Sequence, residues 1–283
     1  MNRRILILGS GGQIGAYLTD YLNKIGYEVL EFDIVNGLHH DMTEIPNPEL
    51  HRKIMLSHFV FFLAFDVGGS HYLKKYQHTF KFIDNNARMM ANVFGLLEKY
   101  DKPFVFASSQ MSNMSYSPYG VMKRVGELYT KSLGGLIVKF WNVYGIEKDM
   151  EKAHVITDFI RKGFETGVID MMTDGTESRE FLYAEDCCEG LEAVMGNYDR
   201  LTSDDELHIT TGNSTTILEI AQSIQKLFSN IGKEVVIKAA ESKDEVQKDA
   251  KNVSDPYIQK FWRSTTSVKE GLTKVFYEMK KNY

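Results

Sequence analysis

The sequence predicts an α/β protein built on a doubly wound parallel sheet, with a smaller substrate-binding lobe at its C-terminal end. Three observations carry this. Short apolar runs alternate with helical stretches through the first half of the chain. The first apolar run passes straight into a glycine-rich turn. After about residue 146 the alternation loosens, and glycine- and polar-rich turns separate the remaining segments.

The elements read in order as follows. Ile5–Leu8 is a first strand, and 14–25 is a helix with Leu18 and Leu22 on one face. Residues 28–32 form a second strand ending at Asp33, and 59–64 a buried third. A long helix covers 85–100, a strand 104–107, a helix 119–133 and a strand 135–140. Beyond these, helices are expected at 155–166, 184–194 and 217–227. The run 243–251 is charged and expected to be exposed.

Bulk properties narrow the function classes. A chain of 283 residues suits one large domain with a smaller lobe. The net charge of -5 is spread without a basic block, so electrostatics give a nucleic-acid partner no support. Cys187 and Cys188 are adjacent, which disfavours a mutual bridge and offers no metal-ligand spacing. A reducing, cytoplasmic setting is expected, with no metal. The longest apolar run, 59–65, is too short to span a bilayer, so no membrane association is expected.

Gly9, Gly12 and Gly15 follow the first strand and open the first helix. In that context Gly9 permits a tight turn, Gly12 a close approach of pyrophosphate, and Gly15 close packing of helix on sheet. The helix N-terminus adds amide donors and a positive dipole end. A ligand-free glycine turn would carry the same letters. Asp33 distinguishes the two: it lies 18 residues beyond Gly15 at the end of the second strand, where a carboxylate accepts ribose hydroxyls. No arginine follows it closely, which favours NAD over NADP.

Tyr119 and Lys123 are spaced to share a helix face, and Ser109 ends the strand before them. A free phenol is a poor base at neutral pH, with a pKa of about 10. A neighbouring ammonium favours the phenolate. Tyr119 is therefore the candidate base, Lys123 its tuner and a ribose ligand, and Ser109 the clamp on the substrate oxygen. Most such Tyr/Lys pairs are solvated helix faces; the glycine turn and Asp33 favour a site.

At this point the chain resembles the extended short-chain dehydrogenase/reductase family, the NAD-dependent nucleotide-sugar epimerases and dehydratases. The likeness rests on Leu63-Ala64-Phe65, Asn86, Asn92, Ser108-Ser109, Trp141-Asn142-Val143-Tyr144-Gly145 and the stretch Arg179 to Asp186. It implies a Rossmann domain over 1–146, with about 181–210 returning to it, and a nucleotide-sugar lobe over 147–283. It places Gln13, Ile14, Asp41, Met42, Leu63, Ala64 and Phe65 against NAD. Asn142 and Arg179 would face the substrate's diphosphate, while Asp186 is expected to cap a helix. It also implies a homodimer through the helices at 85–100 and 119–133, using Met89, Phe94, Leu97 and Val125.

The loop Asp66-Val67-Gly68-Gly69 is similar to that of GDP-fucose synthases and GDP-mannose 3,5-epimerases. Val67, Gly69 and His154 are accordingly expected at the substrate, and a GDP-sugar is favoured. Gln110 and Met111 stand where dehydratases of this group carry an acidic pair, which disfavours dehydration. The leading expectation is a nucleotide-sugar 4-dehydrogenase. A 4-epimerase is the second, and a non-catalytic NAD-binding regulator represents a different class. Only ten residues separate Ser109 from Tyr119, so an open sugar pocket is expected.

Overall fold

The computed structural model describes residues 3–247 and 253–283. Its sheet has six parallel strands in the order β2-β1-β3-β4-β5-β9. The elements are β1 (Arg4–Leu8), α1 (Gln13–Lys24), β2 (Glu28–Phe32), α2 (Pro48–Leu56), β3 (Phe59–Phe62), α3 (Ser70–Tyr76) and α4 (Phe80–Tyr100). Then come β4 (Phe104–Ser109), α5 (Pro118–Ser132), β5 (Leu136–Phe140), β6 (Asn142–Tyr144), α6 (Val155–Thr166), β7 (Val168–Asp170) and β8 (Ser178–Tyr183). The chain closes with α7 (Ala184–Gly196), β9 (Leu207–Ile209), β10 (Ser214–Thr216), α8 (Ile217–Asn230), β11 (Val236–Lys238) and α9 (Val268–Lys280).

β3, β4 and β5 are buried along their whole length, which is why their sequences read as continuous apolar runs. Alternate side chains serve two cores. Ile5 and Ile7 pack with Leu18 and Leu22 of α1 and with Cys187, Cys188 and Leu191 of α7. Leu6 and Leu8 pack on the other face with Leu50, Ile54, Met90 and Phe94 of α2 and α4. Strand order reverses between β2-β1 and β3-β4, so the C-terminal ends of β1 and β3 flank a crevice.

A third core forms around α6, α8 and α9, with Ile160, Ile224, Phe228 and Phe276 fully buried. Both α8 and α9 open with a complete capping box, Thr216 with Glu219 and Ser267 with Glu270. Between these helical segments the chain crosses back: α7 packs on α1, and β9 pairs with β5.

Several expectations change. α4 begins at Phe80, five residues before the expected start, and is capped by Thr79, whose hydroxyl accepts the Phe82 amide. Phe94 and Leu97 are sheet-covering core residues rather than an outward surface; α4 and α5 expose Phe80, Ile83, Val121, Leu128 and Tyr129 instead. Asp186 does not cap α7. It accepts hydrogen bonds from the Thr265 and Thr266 amides and the Thr266 hydroxyl, tying down the entry to α9. In the segment expected to be exposed, Lys243 and Glu245 are exposed, Asp244 and Gln247 are half-buried, and Val246 is buried with Met111, Met114 and Tyr119. The remainder of that segment, 248–251, lies outside the described residues. Among the described residues no helix is long and apolar enough to cross a membrane, and no cluster of side chains suits a metal ion.

Candidate active site

The glycine turn is built by close backbone contact. Gly9 has φ of +92°, and its amide donates to the Phe32 carbonyl at 2.8 Å. A Cβ there would meet the Ala64 nitrogen at 2.6 Å, so only glycine lets the ends of β1 and β3 approach. A Cβ at Gly15 would lie 2.0 Å from the Gly9 carbonyl oxygen. Gly12 is the N-cap of α1 and offers no side-chain cap, which leaves the first-turn amides for an anion. Gln13 and Ile14 open that helix, and Gln13 reaches the Gly145 carbonyl at 3.5 Å.

Asp33 leaves β2 beside this turn. One carboxylate oxygen accepts the Gly11 amide at 2.9 Å and the other the Val35 amide at 3.1 Å. Asp41 accepts the Thr43 amide and hydroxyl, while Met42 is buried and held by Asn92 through its carbonyl. The amides of Leu63 and Ala64 both donate to the Leu8 carbonyl. Ser10, within the turn, is buried with an unpartnered hydroxyl. A tight glycine cradle, open helix amides, a spare hydroxyl and a carboxylate at the second strand suit a dinucleotide. Sequence reasoning passed over Ser10, though a small polar residue between glycines was the available signal.

The chemical groups meet beyond this cradle. Ser109 ends β4, and Tyr119 and Lys123 lie one turn apart on α5. The Ser117 hydroxyl starts α5 by accepting the Gly120 amide, and Pro118 occupies the first turn. Both Tyr119 and Lys123 are buried. Burial pushes the Tyr119 phenol up to about 12, with a Ser109 hydrogen bond pulling it down. Burial brings the Lys123 ammonium down to about 7, opposed by the Glu127 charge.

Lys123 donates to the Ala107 carbonyl at 2.6 Å and sits 3.8 Å from the centre of the Phe65 ring. Phe65 also meets the Tyr119 ring edge-on at 5.7 Å. Desolvation outweighs the Ser109 hydrogen bond at the phenol. Glu127, not foreseen, is buried under the site and accepts from Ser108 at 2.6 Å and Arg124 at 2.7 Å.

A cavity of about 220 Å³ joins the remaining candidates: Ser109, Tyr119, Val67, Gly69, Asn142, His154 and Arg179 all line it. The Asn142 amide nitrogen is buried and unpaired. Arg179 forms an ion pair with Asp244 and donates to the Gln247 carbonyl at 3.4 Å. Gln247 in turn accepts from Gln110 at 2.9 Å. The segment 242–247 thus lies across the space that the short 109–119 connection leaves, and the expected open pocket is roofed. Gly69 lies against the loop before His154: a Cβ there would meet the Ala153 carbonyl at 2.4 Å. His154 Nδ1 stands 2.6 Å from Glu147 Oε1, a partner that no sequence periodicity announced.

The parallel sheet and its glycine turn define the class, a Rossmann-type enzyme that works with a bound dinucleotide. Residues 5–210 match the model of the NAD dependent epimerase/dehydratase family, and the chain belongs to that family. NAD is the family's cofactor. UDP-glucuronic acid decarboxylase 1 of Danio rerio is 23% identical over 307 residues, covering 96% of this chain and 71% of the relative. GDP-L-fucose synthase of Sinorhizobium fredii is 24% identical over 310 residues, covering 97% and 94%. Among solved structures, UDP-glucuronic acid 4-epimerase from Bacillus cereus, in complex with UDP-glucuronic acid and NAD, superposes with a TM-score of 0.82. It is 21% identical and covers 99% of this chain and 100% of that one.

Proposed function

We propose that this chain oxidises or reduces C4 of a nucleotide-linked sugar, with a GDP-sugar favoured. The observation that carries the reading is the joining of Ser109 and Tyr119, with Lys123 one turn behind, to a cavity walled by Asn142 and Arg179. The first group suits proton movement at an alcohol, the second a diphosphate. The likeness to a GDP-L-fucose synthase over nearly the whole chain supports the guanine nucleotide.

NAD, held by the Gly9–Gly15 turn and Asp33, supplies the hydride acceptor or donor when bound. Tyr119 takes the hydroxyl proton in oxidation and returns it in reduction. Ser109 holds the same oxygen by hydrogen bond. Lys123 contributes positive charge and a donor for a ribose hydroxyl. Gln110 is an amide and Met111 a buried thioether, so neither serves as the acid that dehydration requires. The lobe around α6, α8 and α9 would carry the nucleotide, and the exposed apolar residues of α4 and α5 would pair two copies.

A 4-epimerase is the second reading, supported by the shared fold with UDP-glucuronic acid 4-epimerase. The two differ in net redox. Incubation with NAD and a panel of GDP- and UDP-sugars, followed at 340 nm and by product NMR, separates them. Accumulating NADH indicates a dehydrogenase; an inverted C4 without NADH indicates an epimerase. Neither outcome with any sugar would overturn the proposal.

A further inference from the structure

We propose that Glu127 is a positioning residue for the hydride-transfer set: its buried carboxylate favours the ammonium form of Lys123 and fixes the strand end that carries Ser109, a role that rests on the C4 reading of the cleft.

Tyr119, Lys123 and Glu127 recur at every fourth residue of α5, so they form one row along the helix. Glu127 ends that row with its side chain 1% exposed. Both of its oxygens are engaged: Oε1 accepts the Ser108 hydroxyl at 2.6 Å and Oε2 an Arg124 N–H at 2.7 Å. Lys123, one turn earlier, donates to the Ala107 carbonyl at 2.6 Å. The two side chains therefore grip successive residues of β4, and Ser109 is the next one. Gly126 lets the helix lie this close, since a Cβ there would meet the Phe106 ring at 2.2 Å.

A carboxylate shut away from water costs free energy even when paired, and a packed apolar side chain would hold α5 to β4 without that cost. The charge has a use one turn away. Burial brings Lys123 down to about 7, and the Glu127 charge opposes that fall. Other charged groups on the elements around α5 are engaged elsewhere. Asp66, after β3, is held by Tyr72 and Lys152. Asp84 and Arg88 of α4 pair with each other at 2.9 Å, while Lys81, Glu98 and Lys99 are exposed. Lys139 of β5 pairs with Glu206 at 3.1 Å. Tyr119 is a neutral phenol near pH 7, since burial pushes it up to about 12. Arg124 meets Glu127 from the solvent side, with its own side chain half exposed. An ammonium favours the phenolate of Tyr119 where a neutral amine does not. Loss of the Glu127 charge should therefore narrow the pH range in which Tyr119 and Lys123 work together.

Lysine labelled with 13C at Cε reads the charge directly, in the full chain and without substrate. The Lys123 signal is the one missing from Lys123→Met. It should titrate near pH 7 in the unmodified protein and about one pH unit lower in Glu127→Gln. A side chain that only packs would leave that midpoint where it is. Arg124→Gln, a surface change, serves if Glu127→Gln does not fold: removing the cation beside Glu127 should move the midpoint up. With NAD and the panel of GDP- and UDP-sugars, the alkaline limb of kcat should move in the same direction as the midpoint in each variant. An unmoved midpoint, or a midpoint that moves while the kcat limb stays, overturns the proposal. A moved midpoint with no sugar turned over by the unmodified protein refutes the C4 reading and leaves the coupling of Glu127 to Lys123 standing.

Discussion

Lys123 keeps its ammonium where water is excluded, and its pKa falls to about 7. The unfolded chain holds that proton up to the ordinary lysine range, so between about pH 7 and 10 unfolding takes up a proton. Stability from this group therefore rises with pH across that window, by roughly 3 kcal/mol between pH 7 and 9.5. Lys123→Met should remove that rise, as urea titrations of both proteins at the two pH values would show. Tyr119→Phe should lower hydride transfer by about a hundredfold or more while NAD affinity holds. An active Phe variant would exclude Tyr119 as the base. The residues in these predictions were legible because each has a chemical reason for its spacing. Glu127 and Asp244 were not, since each meets a partner distant in sequence only through the fold, and Glu147 meets His154 across a loop that has no period.

At the scale of elements, glycines decide where backbones touch. Gly15→Ala would place a methyl 2.0 Å from the Gly9 carbonyl, forcing α1 away from the turn. NAD binding should weaken at least tenfold, measured by quenching of protein fluorescence. Ser267→Ala should cost about 1 kcal/mol in thermal or urea unfolding, because it removes half of the α9 capping box. The sheet strands β1, β3, β4 and β5 were legible as apolar runs bounded by turns. α2 and α9 were passed over although both carry start signals: Asn47 with Pro48, and Ser267 with Glu270. The three-residue strands β6, β7, β9, β10 and β11 are too short to show a period, and partners distant in sequence create them.

For the whole molecule, the chain's two excursions make one cleft. α7 and β9 return to the six-stranded sheet, and residues 242–247 reach from the lobe around α6, α8 and α9 back to Gln110. The sequence suggested a free charged tail there because its charges dominate its composition; Val246 and the Arg179–Asp244 pair show that two contacts outweigh it. Light scattering should give about twice the 32.4 kDa chain mass if the exposed faces of α4 and α5 pair, and Leu128→Lys should halve it. The adjacent Cys187 and Cys188 add a different kind of readout. Both are sealed between α7 and the sheet, and burial pushes both thiols up. A thiol reagent can reach them only when α7 lifts from the core. The rate at which the native protein is labelled is therefore a clock for the opening of its largest core, needing no engineered probe.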